Sequence, residues 1–219
     1  MHNLLNLTLF ELKKNLIGNK SWINNGMFLL VNMTILPFTI SPSPEILGKF
    51  FISSIMTSIL LGIVLITNHI FDEDSRDGTL NQFLTFGIPH HIIYLSKVIA
   101  ASIEFILIIT IIMPVVALFY MISFEVIWKI WLAILLSIPL LSSISVFGSM
   151  LTINLAKNSV ITILLIFPLL ISALIILSLA SGEIVNMQEF SRGFSYLKMN
   201  IGFTLLLLPL LCWLSKHLC

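Results

Sequence analysis

The fold is decided by the stretch Phe71-Asp72-Glu73-Asp74-Ser75-Arg76-Asp77-Gly78-Thr79-Leu80-Asn81-Gln82-Phe83-Leu84. The 21 residues before it, Phe50 to Ile70, contain no Asp, Glu, Lys or Arg. A helix of about 20 apolar residues is long enough to cross a hydrocarbon core of about 30 Å. The acidic residues that follow therefore indicate the point at which a membrane-spanning helix returns to water.

The second half of this stretch predicts a short amphipathic helix. Thr79 is a typical N-cap residue, and Gln82, three positions later, can complete a capping box. Gly87 and Pro89 predict where the helix ends, because glycine favours a C-terminal stop and proline prevents continuation. The apolar residues of the helix share one face: Leu80, Phe83 and Leu84. Such a face, held just outside a membrane, must press on the lipid surface or on a partner protein.

The overall composition predicts a polytopic membrane protein. Only 10% of the 219 residues are charged, whereas about 25% are charged in a soluble domain. The formal net charge of +1 gives no support for a nucleic-acid partner. Cys212 and Cys219 have no histidine cluster around them in the sequence, so neither a disulfide framework nor a zinc site is expected.

One all-α membrane domain, residues 1–219, with six transmembrane helices is predicted. The spans cover approximately residues 21–41, 50–70, 98–122, 130–156, 158–182 and 199–215. Before them, residues 1–20 place leucines at helical spacing with Glu11, Lys13 and Lys14 on the opposite side, which predicts an interfacial helix among the lipid headgroups. Residues 183–198 are expected to form a partly re-entrant or interfacial segment.

The distribution of basic residues favours an orientation with both termini inside. In that orientation the inner segments hold Lys13, Lys14, Lys20, Arg76, Lys97, Lys157 and Lys216. The outer loops hold Lys49, Lys129, Arg192 and Lys198. This orientation places the acidic stretch and the short helix in the cytoplasm or, in an organelle, in the matrix.

The sequence lacks the motifs of a catalytic subunit. No Gly-x-x-x-x-Gly-Lys-Ser/Thr loop is present, so the chain is not expected to bind ATP through a P-loop. No Ser-His-Asp, paired-carboxylate or His-Glu-x-x-His arrangement stands out either. The chain is therefore not expected to be an enzyme, and no catalytic, cofactor-binding or metal-binding residue is predicted.

Glu104 is the residue within a predicted span that attracts most interest. Ionisable groups inside spans are costly and usually face the interior of a helix bundle or water. Glu104 lies only about two turns inside the span, however, so its carboxylate can also reach the interface or pair with Lys97. Both interpretations stay open.

Other polar and aromatic residues favour structural roles. His69 is interpreted as a polar cap at the end of a span in preference to a haem ligand, and His90 and His91 as exposed residues at a helix start. Trp128 and Trp131 are typical of interfacial anchors. A polar path for transport has two candidates, residues 183–198 and the hydroxyl run at Ser142, Ser143 and Ser145.

The stretch Phe71 to Leu84, followed by Pro89 and Lys97-Val98-Ile99-Ala100, resembles the cytoplasmic loop of type 2 ABC permeases. More narrowly, it resembles the CcmB family, the haem exporter protein B of cytochrome c maturation. Leu36-Pro37-Phe38-Thr39-Ile40-Ser41-Pro42-Ser43-Pro44-Glu45 supports the same resemblance. The chain departs from the family where Ala101-Ser102 replaces a His-Trp pair, and where Ala156-Lys157-Asn158-Ser159 replaces a more basic loop.

The resemblance implies a homodimeric permease subunit in the bacterial inner membrane, or in the mitochondrial inner membrane if the chain is organelle-encoded. Its partners would be the ATPase CcmA, which would hydrolyse ATP, together with CcmC, CcmD and the haem chaperone CcmE. Haem would be the cargo, or ATP would drive the release of haem-loaded CcmE.

The residues expected to couple the permease to the ATPase are Asp72, Glu73, Asp74, Asp77, Gly78, Thr79, Leu80, Phe83 and Leu84. Two other functions remain open at this point. One is a type 2 permease for a lipid-linked saccharide or a drug, and the other is a non-transporting membrane scaffold for the ATPase.

Overall fold

The computed structural model describes residues 2–18, 21–40, 43–71, 74, 77–152, 159–187 and 190–216, and this part of the chain is all-α. The helices are α1 (His2–Lys13), α2 (Ser21–Thr39), α3 (Pro44–Ile70), α4 (Thr79–Thr85), α5 (His90–Tyr120), α6 (Phe124–Thr152), α7 (Ser159–Met187) and α8 (Phe190–Ser215). A π-helical turn, Lys14–Gly18, directly continues α1.

Five helices of the described chain are long and apolar enough to cross a membrane. Their spans are Ile46–Leu65, His90–Tyr120, Phe124–Leu151, Ile166–Val185 and Gly193–Ser215. The all-α membrane architecture predicted from composition is thus confirmed. Helix α2 was predicted as a further span, but it is not among these five helices, because Asn24, Asn25 and Asn32 lower its mean hydropathy.

Helix α2 nevertheless packs within the bundle, antiparallel to α3 and parallel to α5. The Asn32 amide donates a hydrogen bond to Ser58 Oγ on α3 at 3.0 Å. Near the end of α5, the Tyr120 hydroxyl donates to the carbonyl of Met33 at 3.0 Å. A Cβ atom on Gly62 would lie 2.6 Å from Leu29 Cδ2, so glycine lets the two helices approach closely.

The buried apolar residues form two clusters. The larger cluster fills the middle of the bundle and includes the edge-to-face pair Phe51 and Tyr120, whose ring centroids are 5.2 Å apart. The second cluster consists of Leu7, Phe71, Ile93, Tyr94, Val98, Ala101, Val146, Met150 and Leu211. Because Leu80 and Phe83 of α4 pack against this cluster, it marks one end of the bundle, which is called the α4 end below.

Helices α7 and α8 form a hairpin that differs from the predicted arrangement of residues 183–198. A Cβ atom on Gly193 would lie 2.9 Å from the carbonyl oxygen of Ala180, so glycine allows the two backbones to meet. The N-terminal turns of α8, from Phe190 to Lys198, are continuous with its membrane span. In the described residues, the segment predicted to be partly re-entrant or interfacial belongs to the ends of two long helices.

Candidate functional site

The candidate site is built on α4 and on the two glycines that delimit this helix. Gly78 has φ +72° and its carbonyl accepts from Gln82 N at 3.1 Å, so Gly78, rather than Thr79, occupies the N-cap position. Gly87 also has φ +72°, and Ile88 N donates to the carbonyl of Phe83 at 3.0 Å. This closure is a Schellman motif, and it confirms the predicted stop at Gly87.

The predicted apolar face of α4 is turned toward the protein itself. Leu80 and Phe83 pack against the second cluster, and the Phe83 ring stands edge-on to Phe10 of α1 at 6.1 Å between centroids. The side chain of Leu84 lies outside the described part. Because α1 and α5 offer apolar surface at this position, Leu80 and Phe83 are partly buried without any partner protein.

The opposite face of α4 is open. Gln82, Thr85 and Phe86 follow the i, i+3, i+4 pattern and are exposed, as is Asp77 before the helix. The side chain of Phe86, at the end of α4, is 80% exposed and so presents an aromatic surface beside this open face. Phe86 lies beyond the predicted apolar stripe and was therefore not predicted as a docking residue.

Asp74 is buried in an ion-pair network. The predicted docking role would require its carboxylate to be exposed to a partner, so the structure does not support that role for Asp74. Its side chain is 0% exposed and pairs with Lys14 and with Lys97. Lys97, itself 2% exposed, also pairs with Glu11 of α1 at 3.0 Å. Two ammonium groups compensate the Asp74 carboxylate, which explains how it is tolerated in the interior. Asp72 and Glu73 lie outside the described residues.

The same network reverses the expected orientation of α1. Glu11 was predicted on the water-facing side, but it is buried against α5 together with Leu7 and Thr8. Leu5 and Leu9 instead point outward and are exposed. The polar side of α1 therefore packs on the protein, because its ionic partners lie there.

The pKa values of the two buried carboxyl groups in the network shift in opposite directions. Burial raises the pKa of Glu11 above its ordinary value, even though the Lys97 ammonium opposes this effect. For Asp74, burial acts in the same sense, but the charge of Lys97 and the hydrogen bonds from Lys14 and Lys97 outweigh it and lower the pKa. Asp74 is thus held in its ionised form.

Glu104 lies in the interior of the bundle and is 2% exposed. Asn15, in the π-helical turn, donates its amide to Glu104 Oε2 at 3.0 Å. Asn25 of α2 donates to Oε1 at 3.3 Å. The structure therefore places this carboxylate between three segments, consistent with the interior interpretation and not with a side chain that extends to the interface.

The hydroxyl run of α6 is buried and bonded locally. Ser142 Oγ lies 2.6 Å from Ser102 Oγ, and Ser143 Oγ donates to the carbonyl of Leu140 at 2.7 Å. A small pocket here is lined by Ile63, Ala101, Phe105, Ile138, Ser142 and Ser145. Its lining is mainly apolar, and Ser145 Oγ donates to the carbonyl of Ile63 on α3 at 3.5 Å. A polar path through these serines stays a prediction.

The remaining predicted residues lie at the helix ends. His90 and His91 are partly exposed at the start of α5, whereas the side chain of His69 lies outside the described part. Trp128 and Trp131 stack with centroids 4.6 Å apart, and the Trp131 indole donates to Thr110 Oγ1 at 3.1 Å. The two tryptophans therefore stack on each other, and Trp131 also binds α5. Their role as interfacial anchors stays a prediction.

The membrane-crossing helices and the short helix between α3 and α5 define a multi-pass membrane protein. The chain belongs to the CcmB protein family, whose model matches residues 3–212.

Individual relatives agree with this family. The chain is 31% identical over 168 residues to heme exporter protein B of Haemophilus influenzae, which covers 77% of this chain and 76% of the relative. It is 26% identical over 177 residues to heme exporter protein B of Pseudomonas aeruginosa, covering 80% and 79%. The protein of the same name from Rhodobacter capsulatus is 29% identical over 148 residues, covering 68% of each chain.

Proposed function

We propose that the chain is the membrane permease subunit of an ABC exporter in cytochrome c maturation, with haem as the cargo. The observation that carries this proposal is the family match over residues 3–212 together with relatives named heme exporter protein B. ATP is hydrolysed on a separate subunit, CcmA, and the permease works as a homodimer beside CcmC, CcmD and CcmE. In the alternative version of this proposal, the complex uses ATP to release haem-loaded CcmE instead of exporting haem.

The most direct test is copurification with a CcmA-type ATPase, followed by an assay of haem-loaded CcmE with and without ATP hydrolysis. We expect the ATPase to copurify and haem-loaded CcmE to accumulate when hydrolysis is blocked. An ATPase that does not copurify would contradict the permease assignment. Capture of the ATPase without any effect of ATP on haem or on CcmE would favour a permease for another cargo or a scaffold.

The proposal includes six spans, with α2 as the sixth. Leu7 of α1 and Phe71 after α3 belong to the same cluster at the α4 end, so α3 runs toward that end and starts at the other. The chain therefore has to pass from one end of the bundle to the other between α1 and α3. Helix α2 is the segment that lies there, and its polar residues are compensated by partners such as Ser58.

The proposal places the chain in the inner membrane, as the family suggests, with the α4 end inside, as the distribution of basic residues favours. We expect a cysteine at Ser123, in the exposed α5–α6 connection, to react with an impermeant maleimide in sealed cells. A cysteine at Thr85, on the open face of α4, should react only after the membrane is permeabilised. Both variants are made with Cys212 and Cys219 replaced by alanine. Labelling of the Thr85 variant in sealed cells would reverse the proposed orientation.

The open face of α4 is the proposed contact with the ATPase. Short helices are marginal in water, but α4 is stabilised from behind by Leu80 and Phe83. Its outer face can then enter a groove of a partner as a preformed element, as in helix-in-groove recognition. Phe86 would be the aromatic anchor and Asp77 a charge at the rim. Leu80 and Phe83, which the sequence predicted as contacts with the ATPase, instead hold α4 against the rest of the protein in this proposal.

A further inference from the structure

The buried charges at the α4 end form a chain that begins and ends on the same helix. Glu11 of α1 pairs with Lys97 of α5, Lys97 pairs with Asp74, which lies between α3 and α4 in the sequence, and Asp74 pairs with Lys14, which again belongs to the N-terminal segment. Glu11 and Lys14 are three positions apart. This series of ion pairs is named the charge strap. It connects three parts of the protein to one another: the N-terminal segment, Asp74 upstream of α4, and α5.

Lys97 is the central member of the charge strap. It contacts both carboxylates, and its ammonium also lies 4.9 Å from the centroid of the Phe71 ring. The ring is close enough for a cation–π interaction. The two acids and two bases of the strap balance, so removing a single member leaves a net charge in a buried site. Removing one ammonium leaves a buried carboxylate without compensation, which is among the most destabilising changes in a protein interior.

The charge strap lies next to the start of α4, and this position determines what it can hold in place. Asp74 lies shortly before Gly78, where α4 starts, so the strap fixes the upstream side of α4. On the downstream side, Phe83 of α4 packs against Phe10 of α1. Helix α4 is thus attached to α1 at two points. An ordinary surface ion pair such as Glu125–Lys129, within one helix, connects no two segments in this way.

We infer that Lys97 is a positioning residue that holds α4 against α1 and α5, so that α4 and α1 move as one unit. This inference rests on the proposed docking of an ATPase at α4. In that setting, a displacement of α4 is passed through Lys97 to α5 and through Asp74 and Lys14 to α1. Without the strap, α4 would yield to the ATPase while the membrane helices stayed in place.

The attachment itself can be measured without any ATPase. Spin labels at Gln82 on α4 and Ser123 at the other end of the bundle report the position of α4, and a second pair, Leu9 and Ser123, reports that of α1. We expect narrow distance distributions in the wild-type chain in lipid nanodiscs. Lys97→Met should broaden both distributions, because breaking a buried ion pair shifts the balance between the attached and the released state of α4 by at least about a hundredfold.

Two variants separate ion pairing from general damage to the fold. Lys13→Met removes an exposed lysine from α1, the helix that carries Glu11, and should leave both distance distributions narrow. Glu11→Gln combined with Lys97→Met removes one acid with one base, so the Asp74–Lys14 pair remains balanced. This double variant should recover most of the narrow distribution at Gln82. Unchanged widths in Lys97→Met, or no recovery in the double variant, would overturn the strap.

The role in positioning needs the ATPase as a second readout. We expect Lys97→Met to retain capture of the ATPase but to lower the kcat of ATP hydrolysis by the complex at least about tenfold, with little change in KM for ATP. A broadened distribution with unchanged kcat would overturn the positioning role. If the wild-type chain captures no ATPase, the proposed function fails, whereas the distance measurements still decide whether the strap holds α4.

Discussion

Phe86→Ala is expected to weaken binding of the ATPase by about 2 kcal/mol or more, which is roughly a thirtyfold rise in Kd. The side chain is 80% exposed in the isolated chain, so a partner that covers it removes a large apolar surface from water. Its truncation takes little away from the packing of the chain itself. The effect should therefore appear in binding and not in folding.

The measurement is titration of the ATPase onto the chain in lipid nanodiscs, with thermal unfolding recorded for each variant. Phe124→Ala is the matched control, since Phe124 is 74% exposed but lies at the opposite end of the bundle. Phe83→Ala differs from both, because loss of its contact with Phe10 should lower the stability of the α4 end. Equal Kd values for wild type and Phe86→Ala would remove α4 as the docking helix.

The exposed acid beside α4 should affect the rate of association more than affinity. Asp77→Asn removes a charge at the rim of the proposed contact, where electrostatic attraction guides the encounter. We expect a slower association at low salt and a smaller difference at high salt, because mobile ions screen exposed charges. Asp74→Asn should behave differently, since Asp74 is buried in the charge strap and not available to a partner.

Local signals predicted the ends of α4 well. Glycine at the C-terminal stop and proline before the next helix act through backbone geometry alone, so Gly87 and Pro89 have the same meaning in any fold. The N-terminal limit was one residue off, because the positive φ of Gly78 lets it take the cap position expected for Thr79.

Hydropathy predicted which segments are membrane helices but not where these helices begin. It marks only the part of a helix that lies among lipid tails. Helix α3 begins at Pro44 and α5 at His90, several residues before the predicted spans. In both cases a proline at the start sets the boundary of the helix.

Periodicity could not predict which partner each face meets. The pattern of residues 1–20 placed Glu11 and Lys13 on one side of the helix, but Glu11 is buried and Lys13 is exposed. Glu11 faces the protein because Lys97, far away in the sequence, is close in space. The stripe of Leu80 and Phe83 was likewise compatible with a partner or with the chain's own surface. Such choices depend on tertiary contacts between segments that no local pattern contains.

Glu104 is the second position at which a single change should have a large effect. Glu104→Ala removes both oxygens that accept from Asn15 and Asn25, and it leaves space where the carboxylate was. Loss of these acceptors is expected to cost about 1–3 kcal/mol, because buried amide groups without partners remain. The expected result is a lower thermal midpoint of the chain in nanodiscs.

Glu104→Gln separates the charge of this side chain from its hydrogen bonds. A glutamine retains one acceptor oxygen, and a neighbouring asparagine can turn its own oxygen toward the new amide group. We therefore expect membrane insertion and thermal stability close to wild type, but impaired ATP-driven activity of the complex, since ionisable groups inside spans commonly serve function. Ile103→Ala, at a neighbouring, more exposed position, is the control and should change neither property. Wild-type stability in Glu104→Ala together with full activity in both variants would show that the carboxylate between α5, α2 and the π-helical turn has no essential role.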